Sequence, residues 1–143
     1  MIRRMRWWDV DAVVGLEQAL FEDAWSAEMF WDELAQGDTR TYLVAEEDGA
    51  IVGYAGLAAM PDEAYVQTLG VVKEHQRTGL GSTLLTALLE DAKRRGLPRV
   101  GLEVRIDNEP AIRLYERFGF EAIAVRKRYY QPSGTDALVM VTA

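Results

Sequence analysis

The sequence predicts a mixed α/β fold, in which a mostly antiparallel central sheet contains one parallel pair of strands and is flanked by four helices. The order of segments leads to this class: two helix-like segments, three strand-like segments, then helix, strand, helix and two strands. The Asp48-Gly49 pair is a strong signal for a tight hairpin, so the early strands should be antiparallel. The 143 residues contain no linker, repeat or low-complexity stretch, and one domain over residues 1–143 is expected.

The first half predicts two helices followed by a three-stranded meander. Asp9 and Ser26 are typical N-caps, and each precedes a segment with apolar residues at helical spacing. The second of these helices is expected to end near Gly37. Strand-like segments then cover residues 41–46, 50–60 and 64–72.

The second half predicts a strand–helix–strand unit followed by a further helix and two strands. Residues 82–95 have the most regular helical pattern, because leucines recur along one face and Gly96 follows as a C′ residue. Asn108 opens a later helix, in which Pro110 is tolerated in the first turn. Strands are expected at residues 100–104, 121–128 and 136–141. Because a strand–helix–strand connection joins parallel neighbours, the strands before and after residues 82–95 should form a buried parallel pair.

Composition excludes several classes of function. The chain has no cysteine, which excludes a disulfide framework, a thiolate metal site and a cysteine nucleophile. With His75 as the single histidine, no metal cofactor is expected. The net charge of −7 argues against nucleic-acid binding and suits a cationic partner such as an amine or a basic peptide. Neither a signal peptide nor a membrane-spanning stretch is recognisable, so a soluble, cytoplasmic protein is expected.

The segment Gln76–Gly81 carries the most informative motif. Gly79 and Gly81 let the backbone pass close to a ligand, and the helix that follows directs unpaired N–H groups and its positive dipole end to the same point. This combination predicts an anion site suited to a phosphate or pyrophosphate. The motif lacks the Lys-Ser/Thr pair of a Walker A loop and the third glycine of a dinucleotide fingerprint. The alternative is a tight turn that only reverses the chain before the helix.

Gln76-x-x-Gly79-x-Gly81, placed after a strand and before a helix, resembles the acetyl-CoA-binding motif of GNAT-type N-acetyltransferases. The order of elements is similar to that family across nearly the whole chain. Leu102-Glu103-Val104-Arg105, followed by Asn108 and Leu114-Tyr115, resembles the second half of its core. The resemblance implies a GNAT fold with a splayed parallel pair of strands, and direct transfer of an acetyl group from acetyl-CoA to an amine.

Shorter matches resemble the RimI-type group of this family. They are Trp25-Ser26 near the start, and Arg128-Tyr129-Tyr130 with Asp136-Ala137 near the end. Members of that group acetylate the N-terminal alanine of the eighteenth small-subunit ribosomal protein, so the resemblance implies a protein N-terminus as the partner. Two alternatives stay open. One is acetylation of a small-molecule amine or a lysine, and the other is a non-catalytic CoA-binding sensor.

The resemblance also implies roles for individual residues. Glu103 matches the general base of the family, and Tyr115 matches its general acid. The N–H of Val71 is expected to polarise the thioester carbonyl, and Asn108 to contact the cofactor from the other side of the splayed strands. The implied cofactor-binding residues are Leu69, Gly70, Val71, Arg77, Thr78, Gly79, Leu80, Gly81, Ser82 and Asn108.

Each of these residues also has a purely structural interpretation. Glu103 alternates with Leu102 and Val104, so it could be a solvent-facing strand residue. Tyr115 shares a helical face with apolar residues and could belong to the core, and Asn108 could serve only as a helix cap. The chemistry nevertheless suits these residue types, because a phenol can protonate a leaving thiolate and direct transfer needs no enzyme nucleophile.

Overall fold

A computed structural model describes residues 1–142, whose seven strands form one sheet in the order β1-β2-β3-β4-β5-β7-β6. The strands are β1 (Ile2–Arg4), β2 (Arg40–Glu47), β3 (Ala50–Ala59), β4 (Ala64–Val71), β5 (Val100–Arg105), β6 (Glu121–Arg126) and β7 (Ala137–Thr142). The helices are α1 (Val10–Leu20), α2 (Ala27–Leu34), α3 (Leu80–Arg94) and α4 (Glu109–Arg117). The predicted fold class is confirmed.

Strands β4 and β5 form the one parallel pair of this sheet, and all other neighbours are antiparallel. Their pairing is short, since it joins only Ala64–Val66 to Val100–Leu102. Where β4 pairs with β3, the register shifts at Gly56/Leu57 and leaves Gln67 of β4 as an extra residue. Such a bulge bends a strand. Beyond it, β4 continues alongside β3 but is no longer paired with β5, so the sheet opens at this point.

Helices cover both faces of the sheet. Helix α3 places Leu84, Leu85 and Leu88 against β3 and β4 on one face. Helices α1 and α2 pack on the other face, where Val13 and Phe30 join a second buried cluster. Within residues 1–142, no helix is both long enough and apolar enough to cross a membrane.

The element boundaries correct several expectations. Helix α3 begins at Leu80 rather than residue 82, because Gly79, with φ of 89°, is the residue that breaks the extended backbone and serves as the N-cap. Helix α2 ends at Leu34, before Gly37. Strand β6 ends at Arg126, two residues earlier than expected, and β7 covers Ala137–Thr142, shifted by one residue from the expected range.

Two local features at the N-terminus were also predicted wrongly. Strand β1 was not expected at all, because Ile2–Arg4 is too short and too basic to show strand alternation. Asp9 precedes α1 as expected, but its carboxylate does not cap that helix. Instead it accepts a hydrogen bond from the Arg6 N–H at 2.7 Å and two from the guanidinium of Arg3. The expected cap by Ser26 is confirmed, since its hydroxyl accepts from the Met29 N–H at 3.3 Å.

We expect Gly56→Ala to destabilise the protein. Gly56 faces Tyr42 across β2 and β3, and a Cβ at this position would lie 2.3 Å from the tyrosine ring. The ring cannot easily move, because it is buried and its hydroxyl donates to Oε1 of Gln67 at 2.5 Å. Overpacking of this kind should lower the free energy of unfolding by about 1–3 kcal/mol in urea denaturation.

Gly15→Ala is the matched control for that substitution. Gly15 lies in α1, and a Cβ there would meet no atom within 4 Å. Alanine should therefore raise the free energy of unfolding, by about 0.5–1 kcal/mol, through its better helix propensity. Equal stability of Gly56→Ala and the parent would contradict the tight contact with Tyr42.

Candidate active site

Two cavities meet where β4 and β5 separate. The cleft, of about 790 Å³, extends from the end of β4 past the start of α3 to one side of α4. The inner pocket, of about 100 Å³, lies between β4, β5 and the loops that precede α2 and β7. Residues that line both cavities mark the junction: Phe21, Leu69, Arg105, Asn108, Ala111 and Tyr115.

One wall of the cleft is the turn into α3. Arg77 and Gly79 have φ of 67° and 89°, a left-handed backbone that directs the chain sharply into the helix. The first N–H groups of α3 have no partner within the helix, so this wall presents donors and a positive dipole end. Gln76 fixes the turn by donating from its amide to the Val71 carbonyl at 2.9 Å. The arrangement can hold an anion.

The residues predicted in this turn do not all face the cleft. Arg77, Gly79, Gly81 and Ser82 line it. The side chain of Leu80 packs against the core, and the hydroxyl of Thr78 donates to the His75 carbonyl at 2.5 Å. If Thr78 and Leu80 contribute to ligand binding, they must therefore do so through their backbone.

The opposite wall of the cleft carries positive charge that sequence reasoning missed. Arg113 and Arg117 lie one helical turn apart on α4 and both line the cleft. Arg113 is also 3.6 Å from Glu109, in a pair that is largely exposed to solvent. With Arg77 on the other wall, these side chains make the cleft suited to a ligand with several phosphate groups. The sequence did contain a signal for this charge, because Arg113 and Arg117 are four residues apart in the helix that Asn108 opens and so lie on one face of it.

The predicted β4 segment borders the cleft. Leu69, Gly70 and Val71 all line it. The Val72 N–H donates to the Val52 carbonyl of β3 at 3.0 Å, and successive N–H groups of a strand point to opposite sides. The N–H of Val71 therefore points away from β3, into the gap between β4 and β5. An extended ligand could pair with this open edge as an added strand would.

Position 70 requires glycine because of packing inside the protein rather than to admit a ligand. A Cβ at this position would lie 2.5 Å from the ring and hydroxyl of Tyr54. Tyr54 is fully buried, and it lies across the β4 backbone in the stretch that is no longer paired with β5. The packing of this ring therefore requires glycine at position 70.

Tyr115 lies at the junction of the two cavities. Its side chain is 7% exposed and packs edge-on against Phe120, with ring centroids 5.7 Å apart. Its hydroxyl lacks a hydrogen-bond partner among residues 1–142, which is consistent with its position on the cavity walls. Burial raises the pKa of this phenol above its ordinary value, so at neutral pH it stays protonated and can donate a proton or a hydrogen bond.

Glu103 reaches the inner pocket but not the cleft. On β5 its neighbours Leu102 and Val104 are buried, while the side chain of Glu103 is 22% exposed. Its Oε2 lies 4.0 Å from Nε of Arg126. The structure thus brings Glu103 and Tyr115 to the same pocket, with only Tyr115 also facing the cleft.

Asn108 is a helix cap, which is the structural role that its position in the sequence indicated. Its side-chain oxygen accepts from the Ala111 N–H at 3.3 Å and so caps α4. The residue also lines both cavities. Its contact with a cofactor stays a prediction.

A clasp formed by Asp23, Ser133 and Arg105 closes one side of the inner pocket. Asp23 follows α1, and its carboxylate accepts from the N–H of Ser133 at 3.0 Å and from its hydroxyl at 2.7 Å. Arg105, at the end of β5, donates to the same carboxylate at 2.6 Å. These donors, those of Ser133 first, hold the pKa of Asp23 below its ordinary value. The clasp joins the loop before α2 to the loop before β7 and restricts the pocket to a narrow ligand.

The inner pocket has a surplus of negative charge. Both oxygens of Glu17 are taken up by hydrogen bonds from Tyr54 and Trp25, but the carboxylates of Asp23 and Glu103 also line the pocket, against the guanidinium of Arg105 alone. That guanidinium is already shared between Asp23 and two other carboxylates, those of Glu22 and Asp107. A pocket of this charge and size is suited to an ammonium group, as the net charge of the chain had indicated.

Comparison with known proteins agrees with this geometry. Residues 10–120 match the model of the acetyltransferase (GNAT) family. The N-alpha-acetyltransferase RimI of Mycobacterium tuberculosis is 41% identical over 138 residues, which cover 92% of this chain and 85% of that protein. The ribosomal protein bS18-alanine N-acetyltransferase of Escherichia coli is 32% identical over 134 residues, with 92% and 89% covered. The crystal structure of the ribosomal-protein-S18-alanine N-acetyltransferase from Escherichia coli has a TM-score of 0.88 and 31% identity, over 99% of this chain and 92% of that chain.

We expect Gly79→Ala to weaken acetyl-CoA binding. The substitution keeps a small side chain and meets no atom within 4 Å, but at φ of +89° it strains the backbone. A left-handed conformation costs alanine about 1–2 kcal/mol, and relief of this strain would turn the N–H groups of the α3 start away from the cleft. Isothermal titration calorimetry should show roughly a tenfold or greater rise in the acetyl-CoA Kd.

Gly49→Ala is the control for backbone strain alone. Gly49 lies in the β2–β3 hairpin at φ of +80°, and its Cβ position is equally open. It should lose similar stability with an unchanged Kd. Parent-like affinity in Gly79→Ala would mean that the turn is not the anion site.

Proposed function

This chain belongs to the acetyltransferase (GNAT) family, and from that premise we propose that it acetylates a protein N-terminus. The enzyme is an acetyl-CoA-dependent N-acetyltransferase, and its proposed acceptor is the α-amine of an N-terminal alanine, that of the eighteenth small-subunit ribosomal protein. The observation that carries this proposal is the meeting of a cation-lined cleft and a carboxylate-lined pocket at Tyr115. Similarity to the Escherichia coli enzyme of that specificity supports the choice of acceptor.

The residues of the cleft fit acetyl-CoA. The backbone from Arg77 to Ser82 would hold the pyrophosphate, and Arg113 and Arg117 would neutralise further phosphate charge. The open edge of β4 at Leu69–Val71 would pair with the amide groups of the pantetheine arm. Acetyl-CoA supplies an activated acyl group as a thioester, whose carbonyl the Val71 N–H would polarise.

The inner pocket would hold the acceptor amine. An α-amine has a pKa of about 7.7–8.0, so part of it is neutral at pH 7 and able to attack. In the transfer a C–N bond forms and the C–S bond breaks. Glu103 takes the proton that the nitrogen loses, directly or through water, and Tyr115 gives its proton to the departing sulfur.

The burial of Tyr115 is compatible with the role of a general acid. Burial raises the pKa of the phenol, which by itself makes proton donation harder. The same surroundings destabilise a thiolate and raise the pKa of the leaving thiol as well. Proton transfer from the phenol to the thiolate is therefore less unfavourable than the raised pKa of the phenol alone would imply.

Because ribosomal proteins are made in the cytoplasm, the proposed substrate implies a cytoplasmic enzyme. Residues 1–143 would act as one domain. The narrow inner pocket favours an N-terminus, because the peptide leaves an α-amine in one direction only, whereas it continues in both directions from an internal lysine. The acceptor class is therefore the part of the proposal that most needs a direct test.

We expect Tyr115→Phe to lower kcat by roughly 10²-fold or more, because it removes the proton donor. The ring should still pack against Phe120, so the acetyl-CoA Kd and the stability should change little. Tyr65→Phe is the control, since the Tyr65 hydroxyl bonds to Glu63 and lines neither cavity. A large loss of acetyl-CoA affinity in Tyr115→Phe would mean that the hydroxyl serves binding rather than proton transfer.

A panel of peptides identifies the acceptor. Peptides that begin with Ala, Ser, Met or Gly are incubated with acetyl-CoA, together with a peptide whose N-terminus is blocked and whose only amine is a lysine. Mass spectrometry should locate the acetyl group on the α-amine, with the alanine peptide having the highest kcat/KM. Faster acetylation of the lysine peptide would contradict the proposal, and no transfer to any peptide would favour a small-molecule acceptor or a CoA sensor.

A further inference from the structure

Glu17 is a buried carboxylate that the mechanism above does not use. It lies on α1, is only 3% exposed, and lines the inner pocket. Its Oε1 accepts from the Tyr54 hydroxyl at 2.5 Å, and its Oε2 accepts from the Trp25 N–H at 3.0 Å. Both donors are neutral.

Keeping a carboxylate in this position is costly. Burial raises the pKa of Glu17, while the donors from Tyr54, Trp25 and Thr68 act in the opposite direction. Asp9, which directly precedes α1, is a second buried carboxylate in this part of the chain. Its negative charge is compensated by the guanidinium of Arg3, which binds it at 2.8 Å. Glu17 has only dipolar donors, and buried charge compensated in this way generally destabilises a fold. A role in function would explain why a carboxylate is found here.

The hydrogen bonds that Glu17 accepts from Tyr54 and Trp25 reach opposite sides of the site. Tyr54 lies across Gly70, so its position determines where the Leu69–Val71 segment runs along the cleft. Trp25 belongs to the loop that carries Asp23, and through the clasp this loop forms a wall of the inner pocket. Glu17 is therefore in contact with the supports of both cavities at once.

We propose that Glu17 is a positioning residue, which fixes the loop before α2 relative to β4 and so aligns the acceptor amine with the thioester carbonyl. The proposal rests on the proposed transferase function and extends it to a residue that touches neither reacting atom. The geometry requires two polar atoms at the end of the side chain, spaced like the oxygens of a carboxylate. Leucine provides no such pair, whereas glutamine provides one in part. Its amide can accept from the Trp25 N–H and donate to the Tyr54 hydroxyl, which can rotate to accept.

The test compares Glu17→Leu with Glu17→Gln, using the peptide that the parent acetylates best. Displacement of a reactant by about 1 Å can cost roughly 10²-fold, so Glu17→Leu should lower kcat/KM for the peptide on that order. The Kd for acetyl-CoA should rise by much less than kcat/KM falls, because the anion site at α3 is untouched and only the pairing along Leu69–Val71 is loosened. Glu17→Gln should recover most of the activity, which a requirement for negative charge would not allow.

Asp9→Asn serves as the control for stability. It removes charge from a second buried carboxylate that lines neither the cleft nor the inner pocket, so it should lower stability with an unchanged peptide KM. If folded Glu17→Leu has the parent kcat/KM, the positioning role is overturned.

Hydrogen exchange keeps this test separate from that of the proposed function. Glu17→Leu should increase amide exchange in residues 21–26 and 67–71 relative to Glu17→Gln, whether or not any peptide is a substrate. An inactive parent with that exchange pattern would overturn the proposed function alone, because it would still show that Glu17 fixes the loop before α2 relative to β4. Exchange equal to the parent in both segments would overturn the positioning role.

Discussion

The site depends on one structural constraint, which is that β4 and β5 are parallel neighbours for only three residues each. A fully paired sheet would leave no cleft, no open strand edge and no junction for Tyr115. The separation follows from the extra residue at Gln67, which bends β4 while it stays paired with β3. Helix α3 then begins beside the gap, because it is the connection between the two separating strands. The turn into α3 and the open edge of β4 thus have a common origin.

Two tyrosines on the α1 and α2 face stabilise this opening. Tyr42 packs over Gly56 and donates to the side chain of Gln67, the residue that forms the bulge. Tyr54 packs over Gly70 and donates to Glu17. In both cases a glycine makes room for a ring, and the hydroxyl at the far end of the ring reaches a polar partner next to the gap. The bend in β4 is therefore fixed from one side by packing and hydrogen bonds, and the other side is left free for a ligand.

Features that depend on neighbouring residues could be predicted from the sequence, whereas features that depend on contacts between distant residues could not. The hairpin at Asp48-Gly49 and the turn at Gly79 were recognisable because local backbone conformation determines them, and both have the expected left-handed residues. Strand β1 was missed, since three residues cannot show a period, and it forms only because β2 offers it an edge. The clasp between Asp23 and Ser133 joins residues 110 positions apart, so no local pattern could reveal it. The burial of Glu17 is equally invisible to local patterns, because nothing in α1 alone shows that it would contact Tyr54 and Trp25.

The distribution of charge explains why a neutral residue suits the junction. Arginines line the cleft, which suits an anionic donor, and carboxylates line the inner pocket, which suits a cationic acceptor. A permanently charged side chain between them would be drawn to one wall and would repel one of the two reactants. Tyr115 avoids both effects because burial raises the pKa of its phenol, which keeps it neutral in either environment. In the proposed reaction, a group of this kind would be indifferent to the charges on both sides while the reactants bind, and it would donate its proton only when negative charge develops on the departing sulfur.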